Sequence, residues 1–293
     1  MDLPSTLRRS PLPHQLLVQG RAVYSVPRYW YQRFLGRFGY LRHGSRHEQN
    51  LLFVAGLPKS GTSWVEGMLE SFAGFQNIMP PSVVFHELRA GGSHGFDLTQ
   101  DLFSSLQKGL HVLKLHAHGS NRNAGLLREL GLRYAVVYRD PRDVAVSHYF
   151  YVRRTPWHPE HADYRDLSVQ EGIDHFADTL LSPFNLWVEA WHEHADEELA
   201  RFVRYEDLLD DALRELTALV EHFGIGTASS EIERVQKAHS FERASGGRER
   251  GESDEDSFVR KGVEGDWRNW FTDEQAARYR EEAGGALRAG GYL

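Results

Sequence analysis

Lys59, Ser60, Gly61, Thr62 and Ser63 stand directly after an apolar run at residues 51–55 and ahead of a segment with helical character. A lysine inside so tight a cluster of hydroxyls and glycine has little packing purpose. An apolar strand, a tight turn and a helix start in that order build a phosphate cradle. The turn and the first helical residues present unpaired N–H groups, and the lysine adds a point charge. This is not a Walker A loop, where the lysine follows the last glycine of G-x-x-x-x-G-K-[ST]. Gly56 and Gly61 have that separation, but Lys59 lies between them and Thr62 follows Gly61. The spacing predicts a phosphorylated nucleotide held in another way than ATP or GTP in that common loop.

Three further clusters fall at or just past apolar runs. Lys114 and His116 are two residues apart, so strand periodicity puts both side chains on one face, with His118 next if the strand continues. Imidazole titrates near neutrality and suits a proton acceptor. Arg139 leaves the run at 134–138, and Ser147 follows across one strand-to-helix turn, which could bring guanidinium and hydroxyl onto one phosphate. Arg260, Lys261 and Gly262 make a basic corner near the chain's end. Together the clusters imply two separated phosphate sites with a histidine near one of them.

The elements that must position these residues follow from the same pattern. Strands are expected at 51–55, 110–115, 134–138 and 201–205, and helices at 62–72, 123–130, 144–151 and 211–222, with a long helical pattern over 173–199. Residues 76–96, rich in Pro, Gly and His, read as loop, and 243–257 (RASGGRERGESDEDS) as a mobile loop. Strands alternating with helices predict an α/β fold, a single domain with a central, mainly parallel sheet flanked by helices. Ligands in such folds sit beyond the C-terminal strand ends.

Composition narrows the class. The 293 residues suffice for one full α/β domain, and a net charge of −7 argues against a nucleic-acid partner. With no cysteine, disulfides and thiolate catalysis are excluded; with no tight His/Asp/Glu spacing, no metal is expected. No segment has the pattern of a signal peptide or the length of a membrane span, so a cytoplasmic enzyme is expected. Residues 1–47 form a distinct basic, aromatic arm ahead of a domain at 48–293. Eight arginines, at 8, 9, 21, 28, 33, 37, 42 and 46, interleave there with Tyr24, Tyr29, Trp30, Tyr31, Phe34, Phe38 and Tyr40, and no acid falls between Leu3 and His47. Such an arm would pack its aromatics on the core, wall an acceptor site, meet another subunit, or rest weakly on an anionic membrane surface.

Residues 57–64 (LPKSGTSW), 114–116 (KLH), 138–147 (YRDPRDVAVS) and 259–271 (VRKGVEGDWRNWF) resemble, in order, the signature segments of the cytosolic-type sulfotransferases. Those enzymes use 3′-phosphoadenosine-5′-phosphosulfate, PAPS. The resemblance implies that Lys59–Ser63 bind the 5′-phosphosulfate end, with Lys59 at the oxygen bridging phosphorus and sulfur. It implies that Arg139, Ser147, Arg260, Lys261 and the Gly262 backbone hold the 3′-phosphate. Trp64 and Phe241 match the aromatics that sandwich adenine, Tyr205 the tyrosine at its edge, and Ser240 a further nucleotide contact. His116 matches the catalytic base and Lys114 the lysine beside it.

The chain also departs from the pattern. Ser63 stands for a usual threonine, KLHAHGS for the familiar K-T-H-L-P run, and His239 for a threonine. Phe271-Thr272-Asp273 followed by Ala277 departs from the short dimer motif of the vertebrate members, so a homodimer is not implied. Phe75, Phe85, Tyr149, Phe150, Tyr151 and Trp157 favour a largely apolar alcohol or phenol as acceptor, and His86, His94, His148 and His158 would shape that pocket or lie outside it. Residue usage suggests a bacterial source. Two rival readings remain: a phosphoryl transferase using Asp140 or Asp143 on Mg²⁺, and an inactive nucleotide-binding or membrane-surface protein.

Overall fold

Residues 51–56 (β1, Leu51–Gly56) are buried at every position, which a strand achieves only when both sheet faces are covered. The computed structural model describes residues 14–90, 95–156, 158–255, 257 and 259–293. Among these, β1 joins β2 (Gln76–Asn77), β3 (His111–Leu115), β4 (Tyr134–Tyr138) and β5 (Ala200–Arg204) in one parallel sheet of order β2-β3-β1-β4-β5. The chain fills one side of β1 with β2 and β3, β3 inserting between β2 and β1, and then the other side with β4 and β5. The order therefore reverses at β1, and its C-terminal end opens on the crevice where parallel α/β sheets bind ligands.

Period-two alternation divides the core. Leu51, Phe53, Ala55, Leu113, Leu115, Tyr134 and Val136 face one layer, and Leu52, Val54, Val112, Ala135, Val137 and Val203 the other. The helices, in chain order, are α1 (His14–His43), α2 (Thr62–Glu70), α3 (Pro81–Ala90), α4 (Gln100–Ser104), α5 (Asn121–Glu129), α6 (Pro141–Arg153), α7 (His161–Tyr164), α8 (Val169–Phe176) and α9 (Ser182–His194). They continue with α10 (Tyr205–Asp210), α11 (Ala212–Phe223), α12 (Ser229–Ala238), α13 (Phe241–Ser245), α14 (Asp273–Glu282) and α15 (Gly284–Ala289). Helices α6, α8 and α9 supply the first layer, and α2, α11 and α12 the second.

Several expectations change. Residues 76–96 are not wholly loop: Gln76–Asn77 adds an edge strand and α3 opens at Pro81, where a missing N–H costs nothing. Strand β3 stops at Leu115, so His116 and His118 lie beyond it rather than in register with it. The 173–199 pattern resolves into α8 and α9 joined by a π turn at Ala177–Leu181. Segment 243–257 begins as the end of α13 and is bonded to its neighbours. Gly251 N donates to Lys261 O at 3.0 Å, Asp254 N to Arg260 O at 3.0 Å, and Arg248 donates to the Val259 and Arg260 carbonyls. The aromatics of the arm pack on the core only in part: Tyr29 is buried in it, while Trp30, Tyr31, Phe34 and Phe38 are exposed. Among the described residues no helix is long and apolar enough to cross a membrane.

Candidate active site

The turn after β1 is fixed from both sides. Leu57 N donates to Val137 O at 2.8 Å, and Lys59 takes a left-handed backbone conformation at φ 64°. That conformation is rare for a side chain with a Cβ and is tolerated where the surroundings over-determine it. Gly61, at φ 79°, carries no Cβ because one would stand 2.6 Å from the Tyr205 ring. Helix α2 starts at Thr62; Trp64 N and Val65 N bond back to Gly61 O at 2.9 and 3.1 Å, and the N–H groups before them precede the helical ladder. Ser60 is fully buried, and its Oγ has no hydrogen-bond partner. Lys59 Nζ lies 3.8 Å from the centroid of the Tyr151 ring on α6.

Arg139 joins the two halves of the site. Its buried guanidinium donates to Lys59 O at 3.5 Å and to Val263 O at 3.1 Å, and lies 4.3 Å from the Tyr205 ring centroid. Burial opposes its charge, but Asp143, 3.5 Å away, with Tyr205, Glu206 and Asp140 nearby, hold it protonated above the usual range. Its Nε, like Trp64 Nε1, is buried without a partner. A hydroxyl, an indole N–H and a guanidinium N–H with unused donors are what an anionic, aromatic ligand needs.

The basic corner is held by Asp266, a residue the sequence did not single out. Its carboxylate accepts from Arg260, from Lys261 at 2.6 Å, from Asn269 at 2.9 Å and from Trp270 Nε1 at 3.2 Å. Burial would raise its pKa, yet these donors keep it well below the usual carboxylate range. The Arg260 guanidinium also lies 4.7 Å from the Phe150 ring centroid, one turn along α6 from Ser147. Gly262, at φ 64°, lets the Phe241 ring approach to 2.3 Å of where a Cβ would be. Phe241 is buried beneath Arg248, and Ser240 caps α13, its Oγ accepting from Arg243 N at 3.4 Å. The ring neighbour of Trp64 is Tyr205, at 6.5 Å. His239 lies behind α2, bonded to Ser71 Oγ at 2.8 Å.

Asp143 and Asp140 also acquire definite roles. Asp143 accepts from the backbone N–H groups of Gly265 (2.6 Å) and Trp267 (2.9 Å), tying the turn after the basic corner to α6. Asp140 caps α6 and takes a bidentate bond from Arg142. Both carboxylates are committed to protein donors, so the reading that made them Mg²⁺ ligands loses its support.

His116 sits past the end of β3 with Nδ1 on the carbonyl of Gly56, the last residue of β1. A carbonyl only accepts, so the proton is on Nδ1 and a neutral ring keeps its lone pair on Nε2. The His116 carbonyl is held by Trp187 Nε1 at 3.0 Å and the Ala117 carbonyl by Trp191 Nε1 at 3.2 Å, both from α9. Lys114 is buried in β3 beside Val54, on the α2 side of the sheet. His118 turns to α9, where burial and the neighbouring His194 lower its pKa.

The aromatics expected around an acceptor are sorted. Phe75 belongs to the core and Phe85 is exposed on α3; Tyr149 is buried with its hydroxyl on Leu167 O at 2.9 Å. Tyr151 and Phe150 lie beside the site, under Lys59 and Arg260. Trp157 and His94 fall outside the described residues. His158 packs edge-on to Tyr151 at 5.6 Å, and burial lowers its pKa to about 4. His148 bonds Glu160 at 2.8 Å, burial lowering its pKa against that carboxylate. Among the described residues no group of three His, Cys, Asp or Glu side chains is placed to hold a metal ion.

Comparison with known proteins gives the family and the fold. The family described as the sulfotransferase domain matches residues 49–288. Sulfotransferase 1E1 of Mus musculus is 24% identical over 245 residues, covering 78% of this chain and 81% of that one. Flavonol 3-sulfotransferase of Flaveria bidentis is 24% identical over 254 residues, covering 77% and 78%. In fold, the chain is similar to mouse sulfotransferase SULT7A1 complexed with PAP, with a TM-score of 0.61, 21% identity and coverage of 87% and 90%. It is also similar to retinol dehydratase in complex with androsterone and PAP, with a TM-score of 0.57, 17% identity and coverage of 85% and 85%. A family match across most of its length places the chain among the sulfotransferases, enzymes that take the sulfuryl group they transfer from PAPS.

Proposed function

We propose that this sulfotransferase moves the sulfuryl group to the hydroxyl of a small, largely apolar alcohol or phenol, with His116 as the base. The observation that carries it is Arg139, whose one guanidinium is bonded to the loop at Lys59 O and to the basic corner at Val263 O. A ligand with phosphates at both ends of a nucleoside meets a loop and a corner already fastened together. The unused donors of Ser60, Trp64 and Arg139 fit PAPS, an anionic purine nucleotide.

His116 Nε2 accepts the hydroxyl proton as the acceptor oxygen forms its bond to sulfur. The bond between sulfur and the bridging phosphate oxygen breaks in line, and 3′,5′-adenosine bisphosphate leaves. Negative charge grows on the bridging oxygen, where the N–H groups at the start of α2 and the Lys59 ammonium stabilise it. Lys59 rests on Tyr151, so this role requires its side chain to swing from the ring to the loop. Lys114 would assist beside the base, and Ser147, Arg260, Lys261 and Gly262 would complete the 3′-phosphate site. Tyr151 and Phe150 support an apolar acceptor beside that centre.

Titration calorimetry with 3′,5′-adenosine bisphosphate, 5′-AMP and ATP tests the site. Binding of the bisphosphate at least about tenfold tighter than 5′-AMP is expected, since a 3′-phosphate adds charge-assisted bonds. Equal binding of all three would refute the second phosphate site. A panel of phenols and aliphatic alcohols with PAPS then tests the acceptor, read as bisphosphate release.

A further inference from the structure

Helix α1 has its amphipathic faces reversed. Its inward side carries Ser25, Tyr29, Gln32, Gly36 and Gly39, small or polar except for Tyr29. A Cβ on Gly36 would stand 2.1 Å from the His111 ring, and one on Gly39 would stand 2.1 Å from the Gly74 carbonyl oxygen, so the helix lies hard against the domain. Gln32 fixes it further, donating to Asn77 Oδ1 at 2.7 Å. The outward side carries Val23, Trp30, Tyr31, Phe34, Phe38 and Leu41, with Phe34 66% and Leu41 75% exposed. At 3.6 residues per turn these six fall in a sector about 100° wide, the stripe that a surface helix normally turns to its core.

The charges follow the stripe. Arg33 and Arg37 flank it on one side, Arg28 and Arg42 on the other, by the same helical geometry. The Arg33 guanidinium lies 5.2 Å from the Trp30 ring and that of Arg42 5.4 Å from the Phe38 ring. Long cationic side chains at the rim of an apolar strip are placed to reach a polar boundary. Residues 1–47 hold eight arginines and one acid, Asp2; the rest of the chain holds 26 basic and 40 acidic residues.

We propose that α1 is an interfacial helix that lays this face flat on an anionic lipid surface. From Val23 to Leu41 the stripe runs about 27 Å, along a membrane rather than through it. Its aromatics suit the headgroup level, and each arginine near an anionic surface adds about fivefold to the partition. Charge complementarity chooses lipid over a second copy: a facing α1 would bring the same arginines, and neither helix holds an acid to pair them. The acidic remainder orients the molecule, arm toward the surface.

Flotation of the full chain with vesicles of phosphatidylcholine alone, or of phosphatidylcholine mixed with phosphatidylglycerol, tests this. Binding to the mixed vesicles is expected to exceed that to the neutral ones at least about tenfold, and to weaken with salt. The triple change Trp30→Ser, Phe34→Ser, Phe38→Ser should cut it at least about tenfold. The pair Arg33→Glu, Arg37→Glu should abolish the preference for phosphatidylglycerol. Bisphosphate affinity should stay unchanged in both variants, which shows that the domain is folded and keeps this result separate from the catalytic reading. The proposal is overturned by no flotation of the wild-type chain, or by equal flotation with both vesicles. A dimer without vesicle binding that the triple change makes monomeric also overturns it, giving the face to a second copy.

Discussion

Positive charge is treated in opposite ways at the strand ends and along α1. At the strand ends, Arg139 has Asp143, while Arg260 and Lys261 share Asp266, and both acids are buried. Along α1 the arginines have no acid on their own helix, and Arg33 and Arg42 lie beside exposed rings. A buried cation cannot persist uncompensated, so the site holds Arg139, Arg260 and Lys261 in fixed places before any ligand arrives. The helix presents a surface field of net positive charge, which acts at a distance and fades with salt. One region is built for geometry and the other for attraction.

The sharpest way to break this comparison is to remove a group from the first region. His116→Ala should lower kcat by about 10²–10⁴-fold, the usual worth of a positioned general base, with bisphosphate affinity nearly unchanged. Steady-state kinetics beside calorimetry checks it. A parallel loss of binding would mean that the His116 bond to Gly56 O chiefly shapes the loop. Arg139→Gln should weaken the bisphosphate by about 100-fold and 5′-AMP far less, because a 3′-phosphate loses a charged partner. If both nucleotides weaken alike, Arg139 serves the loop through Lys59 O rather than the far phosphate.

What was legible in the sequence, and what was not, follows the same division. The loop and Arg139 are unusual residue types at strand ends, the basic corner is a compact basic run between helices, and each is visible within a few residues. Gln76–Asn77 and α3 were hidden because Pro and Gly read as breakers, although Pro81 stands where proline starts a helix. The compensating acids were not visible as such. Asp143 meets Gly265 and Trp267 across more than a hundred residues, and Tyr205 meets Gly61 at a comparable distance. Asp140 and Asp143 even invited a cation reading until their donors were known. The arm reads only by its charge and aromatics, so neither the helix α1 nor which of its faces turns outward was visible.

A smaller effect lies where α1 meets the domain, at the N-terminal end of β3. His111 fills the space between Gly36 of α1 and Gly109, and burial, with Arg33 adding to it, lowers its pKa to about 4. Above pH 6.5 the ring is neutral folded or unfolded. Between 6.5 and 4 only the unfolded chain takes up the proton, so stability falls with pH across that window and levels off below it. The loss reaches about 3 kcal/mol, with His158 contributing in the same direction. Urea melts at pH 7 and pH 5 measure the slope, which His111→Asn should flatten. An unchanged slope would place the acid sensitivity elsewhere.

Gly36→Ala is the mildest test and bears most directly on how the helix is joined to the domain. The added methyl would stand 2.1 Å from the His111 ring, whose other edge packs close to Gly109. Overpacking of this kind costs about 1–3 kcal/mol. If α1 unfolds together with the sheet, the whole loss appears in the global transition. If α1 detaches first, the main transition stays in place, while amide exchange over residues 23–43 quickens by the same free energy. The second outcome would make the helix a separable docking element and leave the catalytic region, whose charges are paired within it, unaffected. The first would join the two regions into one cooperative unit, in which the close contact at Gly36, not electrostatics, transmits strain between them.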